Sequence, residues 1–154
     1  MELINISTVT EISVAYRRKR SKRVLPRIET SSDALVHILD GFDHKTIGMQ
    51  EQFVCMYLNP ANEVLGIYRA ATGGITSTVA DIRIILSVGL KVLATGIICA
   101  HNHPSGNLKP SRHDEDLTRK LKEAAKVMDM KLLDHLIVEP SGINYFSFAD
   151  EGIL

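Results

Sequence analysis

His101 and His103 stand two positions apart where an apolar, β-branched run, TGIICAHN (95–102), ends. Side chains two positions apart on an extended chain project from the same face, so both imidazoles can reach one divalent ion. Asp114 follows a loop, HPSGNLKPS (103–111), whose two prolines and glycine exclude regular structure. Folding back, that loop brings the carboxylate into the same space. Two histidines and an aspartate supply three ligands and leave a fourth tetrahedral position for water, the layout of a catalytic zinc centre. Structural zinc sites are closed by four ligands, often thiolates. A plainer reading stands beside this one. Ser111 and Asp114 also suit the N-cap and first turn of a helix, and Ser105 and Gly106 are ordinary turn residues. The position of the whole group favours the ion: open α/β sheets bind ligands at the carboxyl ends of their strands.

The elements that must position these residues alternate along the chain. Ile12, Val14 and Tyr16 alternate with small or polar residues and predict a strand. TSSDALVHILDGF (30–42) predicts a short helix capped by Ser31 or Ser32 and ending near Gly41. QFVCMYLNP (52–60) and EVLGIYRAA (63–71) read as a hairpin turning at Ala61-Asn62. Gly73-Gly74 then turns the chain into ITSTVAD. Apolar residues recur at helical spacing from Asp81 to Leu93. They recur again from Arg112 to Met128, with Leu117, Leu121, Ala124, Ala125 and Met128 on one face. KLLDHLIVE (131–139) predicts a strand, and Ser141-Gly142 turns into YFSF (145–148). The expected class is α/β, a mixed sheet flanked by helices.

The chain has 154 residues, 45% hydrophobic and 23% charged, enough for one domain with a core and too apolar for general disorder. No apolar run approaches the roughly 18 residues of a membrane-spanning helix, and MELINISTVTEIS lacks the layout of a signal peptide. Cys55 and Cys99 are too few for a disulfide framework. The expectation is a cytoplasmic protein that does not engage a membrane. Zero net charge hides an asymmetry. RRKRSKRVLPR (17–27) carries Arg17, Arg18, Lys19, Arg20, Lys22, Arg23 and Arg27 without an acid, leaving a matching acidic excess elsewhere. Such a run is either a solvated connector or a contact for nucleic-acid phosphates or an acidic partner. It contains no aromatic residue to stack on bases.

HNHPSGNLKPSRHD resembles the JAMM (MPN-plus) motif, in which H-x-H is followed after seven residues by S-x-x-D. The variant is that of RadC-like proteins. QEQFVCMYLNPANEVLG, GGITSTVADIR and LLDHLIVEPSGINYFSF extend the similarity in order over residues 50–154. The resemblance implies a JAMM/MPN fold, similar to the cytidine-deaminase arrangement, spanning residues 31–154, with 1–30 as an N-terminal strand and basic segment. It implies zinc held by His101, His103 and Asp114. It places Ser111 on the serine that stabilises the tetrahedral intermediate, and Glu51 on the upstream glutamate that acts as base. The implied activity is hydrolysis of a peptide or isopeptide substrate. Longer relatives carry a helix-hairpin-helix region associated with DNA, where this sequence reads as a strand, a basic run and one helix.

Several residues lie outside that motif. Glu63 competes with Glu51 as the base, since nothing local ties either to the histidines. Asp134-His135 is polar inside an apolar strand and reads as a satisfied buried pair helping to set the sheet edge, or as support or a substrate contact near the zinc. Cys99 shares strand parity with His101 but suits a small buried hydrophobe. His37, His44 and His113 have no partner pattern, and Arg83 and Ser87 lie on a helix leading to the site. Nucleobase deamination needs H-x-E and P-C-x-x-C, both missing. The alternatives to a hydrolase are a metal-dependent nuclease or a metal-stabilised binding module, in DNA repair or on a mobile element.

Overall fold

The computed structural model describes residues 12–16, 24–73 and 80–154. Five strands form one sheet in the order β2-β1-β3-β4-β5. They are β1 Gln52–Leu58, β2 Val64–Thr72, β3 Gly96–Asn102, β4 Lys131–Val138 and β5 Tyr145–Ser147. Helices α1 Ser31–Ile38, α2 Ile82–Lys91 and α3 Arg112–Val127 pack on it. The predicted α/β class, with a mixed sheet flanked by helices, is what forms.

The hairpin closes at Asn59–Asn62, where Asn62 takes a positive φ of 59°, a conformation asparagine tolerates. Its strand β1 also pairs antiparallel with β3. From β3 the chain crosses through α3 and returns as β4, parallel to β3. Every residue of β1 and β3 is buried, as expected of central strands covered on both faces. Val54, Met56, Leu58, Ile98 and Ala100 meet α1 on one face. Phe53, Cys55, Tyr57, Ile97 and Cys99 meet α2 and α3 on the other. His101 has the parity of Cys99, so it emerges on the α3 side.

Strand β4 breaks this alternation. Ile97 faces Leu132, yet Ile98 faces Asp134, leaving Leu133 as one extra residue. Leu132 packs on the α3 side, Leu133 joins the α1 side, and Asp134 borders a cavity lined by Ile28 and Ala34 on that same side. His135 then returns to the α3 side, opposite Cys99. Bulges of this kind re-aim side chains near functional sites. Gly96 makes room for it: a Cβ there would stand 2.8 Å from Leu133 Cδ1.

Local expectations differ from the structure in four places. Residues 12–16 form no strand. The Tyr16 hydroxyl donates to Leu65 O at 3.3 Å. The cap of α1 is Thr30, which accepts from Asp33 N while Asp33 accepts from Thr30 N. The cap lies one residue before the expected Ser31 or Ser32, and its reciprocal pair satisfies the first turn. Strand β4 is internal, since β5 covers its far side. Met128 is the C-cap of α3 and is 47% exposed, and the buried stripe of the helix is Asp114, Thr118, Leu121 and Ala125. Residues 17–23 and most of ITSTVAD lie outside the described residues.

Candidate metal centre

His101 is the penultimate residue of β3, and His103 follows the strand with its N–H held by Val138 O at 3.0 Å. Their Nε2 atoms lie 2.9 Å apart. The Asp114 carboxylate completes the group, with Oδ1 3.2 Å from His101 Nε2 and Oδ2 3.5 Å from His103 Nε2. One potential ligand atom from each residue lies within 4.8 Å of the others. A tetrahedral zinc with bonds of about 2.0–2.2 Å keeps its ligand atoms roughly 3.3 Å apart, so small side-chain rotations complete the fit. His101 and Asp114 are buried and His103 is partly so. Among the described residues no other group of three such side chains converges.

The chemistry of the donors points the same way. His103 Nδ1 meets Asn107 O, which can only accept, so Nδ1 carries the hydrogen and the neutral ring turns a bare Nε2 inward. Asp114 Oδ2 already accepts from Ser111 N at 2.7 Å. The remaining lone pairs of His103 and Asp114 therefore converge, an excess of acceptors that only a proton or a cation neutralises. The charge states follow. Burial pushes the Asp114 carboxyl up, but its contacts with the His101 and His103 rings outweigh this and hold it well below the usual carboxylate range. Asp114 beside it raises His103 against the effect of burial, with Asn107 O and the Glu51 charge adding to the rise.

Helix α3 presents Asp114 through its own first turn. Ser111 is the N-cap: its Oγ accepts from Asp114 N at 3.1 Å, and the Asp114 side chain answers the Ser111 N–H. The cap reading and the ligand reading thus describe one arrangement. Ser111 is exposed at the mouth of the group.

Glu51 immediately precedes β1, and Phe53 of that strand pairs with His101. Between the two histidines, buried Asn102 fixes this approach. Its Nδ2 donates to Ile47 O and Gln50 O, at 2.7 and 2.8 Å, and its Oδ1 accepts from Gln52 N at 2.7 Å. Glu51 is therefore clamped at the histidine end of the sheet, close enough for its charge to act on His103. Glu63 sits at the opposite end, where it accepts from Asn59 Nδ2 at 2.7 Å across the hairpin turn.

Two further residues reach the group. His135 Nε2 is 2.8 Å from His101 Nδ1, and Thr118 Oγ1 is 2.6 Å from His135 Nδ1. Burial pushes His135 well below the ordinary histidine range. Asp134 points away and is satisfied by Ser147 Oγ and Ala149 N. Asp134 and His135 are each buried and bonded but serve opposite faces. Thr118 was missed from sequence, although it lies four residues from Asp114 on the same helical face. Asn102, the middle residue of H-N-H, was missed too, and nothing in the sequence marks it. Cys99 is a buried thiol held in its neutral form by desolvation, in keeping with a packing role. Arg83 pairs with Asp81, and Ser87 donates to Ile84 O.

No helix among the described residues is long and apolar enough to cross a membrane. The family model of the RadC-like JAB domain matches residues 28–153. A UPF0758 protein of Flavobacterium johnsoniae is 39% identical over 142 residues, covering 89% of this chain and 58% of that protein. One from Porphyromonas gingivalis is 36% identical over 147 residues, covering 93% and 64%. A third, from Streptococcus sanguinis, is 46% identical over 102 residues, covering 66% and 44%. The chain thus spans roughly half to two thirds of the length of these relatives. From the extent of the match and the His-x-His and Asp group it contains, the chain belongs to the RadC-like JAB domain family.

Proposed function

We infer that the protein is a zinc-dependent hydrolase of the JAMM type acting on a peptide or isopeptide bond. The observation that carries this reading is the convergence of His101 Nε2, His103 Nε2 and an ionised Asp114. Among the described residues they are three ligands rather than four, which suits a centre with an open position. When bound, zinc supplies a Lewis acid that brings the pKa of water to about 7 and polarises a carbonyl.

The chain's own residues supply the remaining roles. Glu51, carried on the clamped segment before β1, takes the proton from the attacking water and passes it to the leaving nitrogen. Ser111 offers a hydroxyl at the mouth of the site to the oxyanion of the tetrahedral intermediate. Its cap interaction uses the hydroxyl oxygen as acceptor, so its hydrogen remains available to donate. Two imidazoles and one carboxylate form a ligand set that catalytic zinc centres use.

The test is elemental analysis followed by a substrate screen. Purified protein is expected to hold one zinc per chain, and a His101→Ala, His103→Ala double variant none. Peptides and isopeptides are expected to be cleaved in a chelator-sensitive manner, and nucleic acids left intact. Equal zinc in both proteins would reject the ligand set. Metal-dependent cleavage of nucleic acid alone would replace the peptidase reading with a nuclease.

A further inference from the structure

The second nitrogen of His101 belongs to a buried chain of hydrogen bonds, and counting its hydrogens fixes the ring. Thr118 has one hydroxyl hydrogen, and its Oγ1 lies 2.6 Å from Asp114 O, which can only accept. The hydroxyl donates there, so at 2.6 Å it must accept from His135 Nδ1. His135 therefore carries its hydrogen on Nδ1. Its ring is 1% exposed, and its ring nitrogens meet His101 and Thr118 rather than a carboxylate, so burial favours the neutral form. Its Nε2 is then an acceptor, and the 2.8 Å contact requires the hydrogen to sit on His101 Nδ1.

We propose that His135, itself oriented by Thr118, is the positioning residue that locks His101 in its Nδ1–H tautomer and so presents a bare Nε2 to the metal. The assignment rests on the metal-binding reading above. It gives His101 what Asn107 O gives His103, a partner on Nδ1 that leaves Nε2 bare. Ring packing holds the relay in place: His135 stacks on Phe148 with centroids 4.9 Å apart and meets Phe53 edge-on at 5.4 Å. The chain returns to α3 through the Asp114 carbonyl, so the hydrogen-bonded circuit includes two of the three ligand residues. Partners of this type, beyond the ligands themselves, typically change metal affinity by about 10–100-fold.

Two measurements test the proposal. Long-range 1H–15N correlation of metal-free protein at mildly alkaline pH reads which ring nitrogen bears hydrogen. It is expected to report Nδ1–H for both His101 and His135. Zinc affinity, by competition with a chromophoric chelator, is expected to fall about 10–100-fold in His135→Leu, with His101 shifting toward the Nε2–H form. His135→Gln, whose side-chain oxygen can accept from His101 Nδ1, is expected to recover most of the loss. Thr118→Val changes only a hydroxyl and preserves the core. It is expected to weaken zinc up to about tenfold, and Thr118→Ser to restore it. An Nε2–H tautomer of His101 in the wild-type protein overturns the assignment, as does unchanged affinity in both His135→Leu and Thr118→Val. Zinc binding that fails in the wild type overturns the metal reading itself. A wrong tautomer with intact zinc binding overturns this proposal alone.

Discussion

Asp114 closes the first turn of α3 with Oδ2 and turns Oδ1 toward His101, so the helix cap holds the carboxylate in its inward position. The spacing of Ser111 and Asp114 signalled both roles, and no local feature of the sequence could choose between them. Glu51 is the opposite case. Its place in the sequence is distant from the histidines, and it is brought near only because β1 pairs with β3 and Asn102 clamps the preceding segment. Glu63, the other candidate, is held at the far turn. Replacing Glu51 by Gln removes a base without changing its size. Hydrolysis is expected to fall about 10²–10⁴-fold, the usual contribution of a positioned base, while zinc content stays at one per chain. Glu63→Gln is expected to leave both quantities near wild type. Paired measurements of turnover and metal content check this; an unchanged rate in Glu51→Gln would remove it from the mechanism and leave the ligand set intact.

Strands β1 and β3 were legible because a fully buried central strand is a nearly continuous apolar run bounded by turn residues. Helices α2 and α3 were legible from their period. Strand β4 was legible as a strand, but the direction of its polar residues was not. Alternation counted from Leu132 would send His135 to the α1 side, away from His101. The extra residue Leu133 reverses this, and a bulge leaves no mark in a run such as KLLDHLIV. Residues 12–16 failed in the other direction: alternation was present, but no neighbouring ladder took it up. The bulge makes a testable statement at this scale. Deleting Leu133 leaves Asp134 opposite Ile98 and His135 opposite Cys99, so the deletion is expected to preserve zinc affinity. Its cost is the lost packing of a partly buried leucine, on the order of 2–5 kcal/mol in denaturant unfolding. A folded deletion variant that no longer binds zinc would show that the bulge does more than set direction.

The sheet separates two cores. The metal group lies with the α3 core, while Asp134 lies on the α1 side, bordering a cavity beside Ile28, Ala34 and Asp150. There its carboxylate joins β4 to the chain after β5, accepting from Ser147 Oγ at 2.6 Å and Ala149 N at 3.0 Å. Burial raises its pKa above the ordinary value of 3.8, despite those donors and the His135 N–H, and the Asp150 charge adds to the rise. A carboxyl whose pKa is higher in the folded state binds more protons there than in the unfolded chain. Its contribution to stability is therefore full below the unfolded pKa and is lost as pH rises through the folded one. Asp134→Asn keeps an oxygen for the backbone N–H groups and removes the titration. In chelator-treated protein, the stability of wild type relative to Asp134→Asn is therefore expected to be greatest below the ordinary carboxyl value of 3.8 and to decline as pH rises through the higher folded pKa. Urea unfolding of both proteins across that range reads the difference directly. A constant difference would mean that Asp134 titrates alike in the folded and unfolded chains, and that hydrogen bonding from Ser147, Ala149 and His135 fully offsets its burial.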